Sequence, residues 1–219
     1  MSITLYAHPF SSYCQKVLTA LYENDIAFDY RMLAAGDEQA MAGLEAVWPL
    51  KRIPVLVHEG RTILEATIII EYLGLHHPGP VRLMPRDARL ALDVRMMDRF
   101  FDNYISTPMQ KVVFDSIRKV ESRDVQGVAE ARSLLEAAYR WLDAAMAGHD
   151  WATGDSFTLA DCAAAPALFY ADWTHPISQV FKNVHAYRQR LLARPSFARA
   201  VDEARPYRPL FPPGAPNRD

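Results

Sequence analysis

The chain is expected to fold as an α+β N-terminal domain of element order β-α-β-α-β-β-α followed by an all-α C-terminal domain. Two observations lead there. Up to about residue 80, short apolar runs alternate with helical patterns, and beyond Arg86 the sequence is a succession of helical periods with no convincing strand. Between them, "HHPGPVRLMP" (76–85) is rich in turn residues and too stiff to continue a helix, so it reads as a linker. The expected boundaries are 1–79 for the first domain, 80–86 for the linker and 87–219 for the second domain.

Each element has a local reason. "ITLYA" (3–7) suits a buried strand, 12–24 a helix, and "FDYRML" (28–33) a second strand, which makes a β-α-β start. One more helix precedes "IPVLVHEGRTIL" (53–64), which reads as a hairpin turning at Glu59-Gly60. A helix follows from Glu65 to about His77. In the second part, helical periods cover 87–120, 125–147, 158–173, 181–193 and 195–204, with a kink expected at Pro108. Thr158 with Asp161 three residues later is a capping box in which Asp replaces Glu, starting a buried Ala-rich helix. The Pro-rich tail "FPPGAPNRD" is expected to lie extended over the surface, or frayed.

Composition narrows the function classes. A chain of 219 residues buries about 70% of its unfolded surface and needs no staple to fold. With 50% hydrophobic and 23% charged residues it is far from disordered or fibrous compositions, and a net charge of -2 provides no basic field for nucleic acid or anionic membrane. Neither is expected as a partner. There are two cysteines, Cys14 and Cys162, no leader pattern and no run of eighteen apolar residues, so a cytoplasmic protein with reduced thiols is the expectation. No metal is expected, because His76 and His77 are adjacent and cannot share a helix face. "SIRK" (116–119) matches S-x-x-K without its companion motifs, and no phosphate-cradling glycine pattern occurs.

The informative stretch is "HPFSSYCQ" (8–15). A redox protein with a strand running into a helix carries C-x-x-C there, whereas here Ser11, Ser12, Tyr13 and Cys14 give S-S-Y-C. One of the two serines can cap the helix, and that alone accounts for a serine at this place. Cys14 lies one turn into the helix facing the sheet, as a small buried apolar side chain, and Cys162 is packing.

Four blocks in order, "HPFSSYCQKVLTALYE", "RIPVL", "LEATIIIEYL" and "FTLADCAAAPAL", resemble the cytosolic glutathione transferases of the serine-type theta, phi and zeta classes. The resemblance spans most of the chain and implies a thioredoxin-like first domain and glutathione as co-substrate. It places the catalytic hydroxyl on Ser11, with Ser12 as the alternative. The chemistry is adequate: lowering a thiol pKa of about 8.5 by two units takes roughly 2.7 kcal/mol. A charge-assisted hydrogen bond supplies about 1.5 to 3 kcal/mol and a helix terminus about 0.3 to 1, so no general base is needed.

The resemblance also implies glutathione contacts at Phe10, Gln39, Arg52, Ile53, Pro54, Glu65, Ala66 and Thr67, with a cis Ile53–Pro54 bond. It implies an apolar electrophile site drawn from Phe10, Phe101, Tyr104, Met109 and Phe114. One departure stands out. The family usually carries Glu-Ser where this chain has Glu65-Ala66, so one hydroxyl contact to the γ-glutamyl carboxylate is missing unless Thr67 substitutes. The expected activity is transfer of glutathione to a hydrophobic electrophile. Two alternatives stay open: glutathione-dependent cis-trans isomerisation of a maleylacetoacetate-like acid, for which Lys16, Arg52 and Arg95 are candidate cations, and a non-catalytic binding protein of this fold. A homodimer is expected, because "LALDVRMMDRFFDNYI" has apolar residues on more than one face, with Asp98 or Asp102 turned towards the partner's site.

Overall fold

A computed structural model describes residues 3–219. Strand β1 (Ile3–Ala7) alternates buried and half-buried positions, so Ile3, Leu5 and Ala7 face the core. Helix α1 (Ser12–Glu23) follows, then β2 (Asp29–Met32), α2 (Glu38–Val47), the hairpin β3 (Val55–His58) and β4 (Arg61–Leu64), and α3 (Ala66–His76). The four strands order as β2-β1-β3-β4, with β1 parallel to β2 and antiparallel to β3, and β3 antiparallel to β4. The hairpin turns at Glu59 and Gly60, both at positive φ, where glycine carries no steric penalty. On the outer side Gly43 of α2 lets the Tyr6 ring approach, since a Cβ there would meet its hydroxyl at 3.2 Å.

Helices α4 (Ala88–Phe100), α5 (Thr107–Ser116), α6 (Val125–Ala145), α7 (Leu159–Thr174), α8 (Lys182–Ala193) and α9 (Pro195–Ala204) make up the rest, with a 3₁₀ turn at Val120–Ser122 and another at Arg205–Leu210. Helix α7 is buried along its whole length, and α1 packs against α7, α9 and α3. Its start is fixed as the sequence predicts: the Thr158 N–H and hydroxyl both donate to Asp161 Oδ2, at 2.8 and 3.1 Å.

The structure sharpens two expectations. The helical period over 87–120, with its kink expected at Pro108, is α4, a π-helical segment at Phe101–Ser106 and α5, ending at Ser116. The cause is Pro108, which has no N–H and whose ring crowds the carbonyl of residue 104, so the chain widens for a turn before it. Thr107 Oγ1 donates to the Asp102 carbonyl at 3.0 Å within that turn. The tail runs over the surface as expected, but its start is docked: Phe211 is buried and, with Leu210 and Pro212, lines an open cavity. Arg205 and Arg208 pair with Asp219, and Arg218 pairs with the buried Asp172.

Candidate active site

The loop between β1 and α1 is held from three sides. Phe10 N–H donates to His8 Nδ1 at 3.1 Å, so the neutral ring carries its proton on Nε2, and burial lowers the His8 pKa. Ser11 N–H donates to the His8 carbonyl at 3.0 Å. From helix α7, Tyr170 donates its hydroxyl to the Phe10 carbonyl at 3.1 Å, and Gln15 donates to the Pro9 carbonyl at 3.0 Å and to Tyr170 Oη at 3.2 Å. This bracing fixes Ser11 in an extended conformation, φ -86 and ψ 126, as the N-cap of α1.

Ser11 Oγ accepts from Cys14 N–H at a long 3.5 Å. Acceptance of that bond leaves the hydroxyl hydrogen available as a donor. Ser12 is the first residue of the helix, and both serines line a cavity of about 590 Å³. Cys14 is fully buried; burial pushes its thiol up to about 11 despite the neighbouring Ser11 hydroxyl, so it is a neutral thiol at physiological pH. Burial likewise holds the Cys162 thiol well above its ordinary value.

The cavity lies between the sheet-bearing part and the helices. Ser11, Ser12, Arg52, Ile53, Pro54, Glu65 and Ala66 line its first side, and the Ile53–Pro54 bond is cis. Glu65 is at φ +67 and immediately precedes α3, so the free N–H groups of the helix start adjoin the cavity. Phe10, Met109, Val113 and Phe114 form an apolar wall, extended by Leu210 and Phe211. Phe10 packs edge-on against Tyr170 and Phe211, with ring centroids 5.5 and 6.3 Å apart.

Four residues expected at the site lie elsewhere. Gln39 is exposed in the first turn of α2 and does not line the cavity, because that helix stands outside the sheet with only Leu44 buried. Phe101 is wholly buried in the core, and Tyr104, 50% exposed, lines a different apolar groove with Phe100, Leu134 and Trp141; the π-helical turn shifts the phase between α4 and α5, so that of the expected electrophile wall Phe10, Met109 and Phe114 stand at the cavity. Thr67 does not replace the missing serine. Its hydroxyl donates to Asp98 Oδ2 at 2.9 Å and accepts from Lys16 Nζ at 3.0 Å, so it faces the interior.

That interior holds a charge cluster absent from the sequence reading. Lys16, 1% exposed, lies 2.5 Å from Asp98 and 2.9 Å from Asp102, while Arg99 Nη2 lies 2.6 Å from each of the same two carboxylates. Two cations and two anions balance, which is what keeps buried charges tolerable. Burial raises the Asp102 pKa against the pull of Lys16. Asp98 is thus engaged within its own chain, and of the candidate cations only Arg52 reaches the cavity: Lys16 is buried and Arg95 pairs with Glu71 at 2.7 Å. The cavity also takes in Trp48, Lys51 and Arg99, which no motif marked, together with Tyr13 of the S-S-Y-C stretch and Asp102 of the same chain. The Tyr13 phenol is pushed up to about 12, by burial first and Asp102 second, and is a neutral donor.

A small mixed sheet entered through a cis proline and joined to a helical bundle, with an open cavity at the join, defines a thioredoxin-like domain adapted to hold a ligand rather than to exchange its own disulfide. The description "Glutathione S-transferase, N-terminal domain" matches residues 5–81 and "Glutathione S-transferase, C-terminal domain" matches residues 125–190. The chain belongs to the glutathione S-transferase family. It is 25% identical over 204 residues to a probable maleylacetoacetate isomerase of Caenorhabditis elegans, covering 92% of this chain and 94% of that protein. It is 28% identical over 155 residues to a probable glutathione S-transferase of Nicotiana tabacum, covering 71% and 65%. Among solved structures, a glutathione S-transferase from Methylobacterium radiotolerans in complex with glutathione sulfonate superposes with a TM-score of 0.79 at 28% identity, covering 92% of this chain and 95% of that one. Among the described residues no helix is long and apolar enough to cross a membrane, and no group of three or more His, Cys, Asp or Glu is placed to hold a metal ion.

Proposed function

We propose that the protein is a glutathione transferase that binds glutathione in the 590 Å³ cavity and activates its thiol with the Ser11 hydroxyl. The observation that carries this reading is the junction at Ser11, where a hydroxyl with a hydrogen to donate stands at the start of a twelve-residue helix, beside an open cavity. Donation to the glutathione sulfur and the positive end of α1 both favour the thiolate. The cysteinyl backbone lies along Ile53, the γ-glutamyl carboxylate at the N–H groups of Ala66 and Thr67, and the glycyl carboxylate towards Arg52 and Lys51. The sulfur attacks an electrophilic carbon held against Phe10, Met109, Phe114 and Phe211. A carbon–sulfur bond forms, and the leaving group departs with its electron pair.

The likeness to a maleylacetoacetate isomerase supports a second reading, reversible addition of glutathione to an activated double bond, for which Arg52, Lys51 and Arg99 are the cations along the cavity. Calorimetric glutathione affinity combined with an electrophile panel that includes maleylacetoacetate-type acids distinguishes the two. Conjugate formation supports transfer, isomerisation without consumption of glutathione supports the second reading, and absence of glutathione binding refutes both.

We also propose that the molecule is a homodimer divided at 80–86. Leu92 and Met96, one turn apart on α4, are 66% and 48% exposed, an apolar pair on one face of that helix that a second copy of the chain would cover. Asp98 and Asp102 have no part in that contact, being engaged inside their own chain. Sedimentation equilibrium at micromolar concentration checks it; a clean monomer with full glutathione activity contradicts it.

A further inference from the structure

We infer that Arg99 takes the place of the hydroxyl missing at Ala66 and binds the γ-glutamyl carboxylate of glutathione, and that the buried cluster around Lys16 exists to hold it there. The inference rests on the glutathione reading above. Three facts about Arg99 lead to it. It lines the cavity together with Glu65, Ala66 and Asp102, and its side chain is 50% exposed. Its Nη2 is 2.5 Å from the hydroxyl of Thr67, the residue next to Ala66, so the guanidinium stands at the start of α3. Its Nε and Nη2 are committed to Asp98, at 3.0 and 2.6 Å, and Nη2 also to Asp102, whereas Nη1 has no partner among the described residues.

A guanidinium pinned by two of its nitrogens with the third free is a preorganised carboxylate donor, since little further rotamer freedom is lost on binding. Lys16 explains why the pinning holds. Without it, one arginine would face two buried carboxylates, and one of these would take up a proton and release its grip. Charge balance agrees with the ligand. The cluster is neutral, two cations against two anions, and the γ-glutamyl head is a zwitterion, so its carboxylate on Arg99 and its ammonium beside Asp102 add no net charge. The loss of a serine hydroxyl is thereby compensated from α4 of the same chain.

Calorimetry with glutathione and with decarboxy-glutathione, in which hydrogen replaces the γ-glutamyl carboxylate, tests this. Arg99→Gln should weaken glutathione binding about 10- to 100-fold and leave decarboxy-glutathione within about twofold of wild type. Arg99→Lys, which keeps a charge over Asp98 and Asp102 but loses the fork, should fold normally and fall between, about 3- to 10-fold weaker. Ala66→Ser should change wild-type affinity by less than about threefold, and recover part of the loss when added to Arg99→Gln. Unchanged glutathione binding in Arg99→Gln or Arg99→Lys, or equal loss of both ligands, overturns the inference. Wild-type protein that binds no glutathione overturns the functional reading instead.

Discussion

Asp161 and the pair Asp98 and Asp102 are all buried carboxylates of the helical region, but they are satisfied in opposite ways. Asp161 accepts from neutral donors: Thr158 N–H, Ala152 N–H at 2.8 Å and the Tyr187 hydroxyl at 2.6 Å. Most of these partners are within ten residues, and nothing there adjoins the cavity. Asp98 and Asp102 are held by Lys16 from α1, Arg99 from α4 and, for Asp98, Thr67 from α3, and the cluster has one open face on the cavity. Neutral saturation makes a fastening. Charge pairing with a free nitrogen left over makes a binding group, because the field of the cluster can still act on a ligand.

The comparison breaks most visibly at Lys16. Lys16→Met strands two buried carboxylates with only Arg99 to serve them and should cost about 3 to 5 kcal/mol of stability, together with loss of glutathione affinity. Denaturant unfolding and calorimetry on the same variant check both parts; a stability loss with affinity intact would reduce the cluster to a fastening. Asp161→Asn should cost about 1 to 3 kcal/mol through mismatched buried donors and leave glutathione affinity unchanged. Any affinity loss in a folded sample would blur the distinction.

The smallest effect is a pH slope from the loop that holds Ser11. His8 must stay neutral to accept from Phe10, and burial lowers its folded pKa from the ordinary 6.5. Below 6.5 the unfolded chain binds the proton first, so the stability His8 contributes is complete above that value and is lost as pH falls towards the lowered folded pKa. His8→Gln, whose amide oxygen can still accept, should make stability fall less steeply over that window. Parallel slopes in the two proteins would remove His8 from the account.

Legibility follows the same division. The strands, the Glu59-Gly60 turn, the cap at Ser11 and the capping box at Thr158 are local patterns, and each depends on residues within a few positions of one another. Asp98, Arg99 and Asp102 share one helical face at i,i+3 and i,i+4 spacing, but Lys16 and Thr67 reach them only after α1 and α3 pack against that face. Lys16 in particular reads from the sequence as a candidate cation for an acidic substrate, whereas it is buried against Asp98 and Asp102. Pro108 did mark a break, but a kink and a π-helical widening differ in phase, and the phase decides whether Tyr104 or Asn103 and Asp102 face the cavity. For the tail, proline-rich composition announces the extended backbone that is found and says nothing of where Phe211 docks.

In the proposed mechanism a hydroxyl on the protein activates a sulfur on the ligand. Ultraviolet titration of the thiolate of bound glutathione in wild type, Ser11→Ala and Ser12→Ala tests it most directly. A bound thiol pKa about one to two units below the ordinary value of about 8.5 is expected in wild type and in Ser12→Ala. In Ser11→Ala that depression should be largely lost, and turnover should fall about 10- to 100-fold with glutathione affinity largely kept. An unchanged pKa and rate in Ser11→Ala would contradict it.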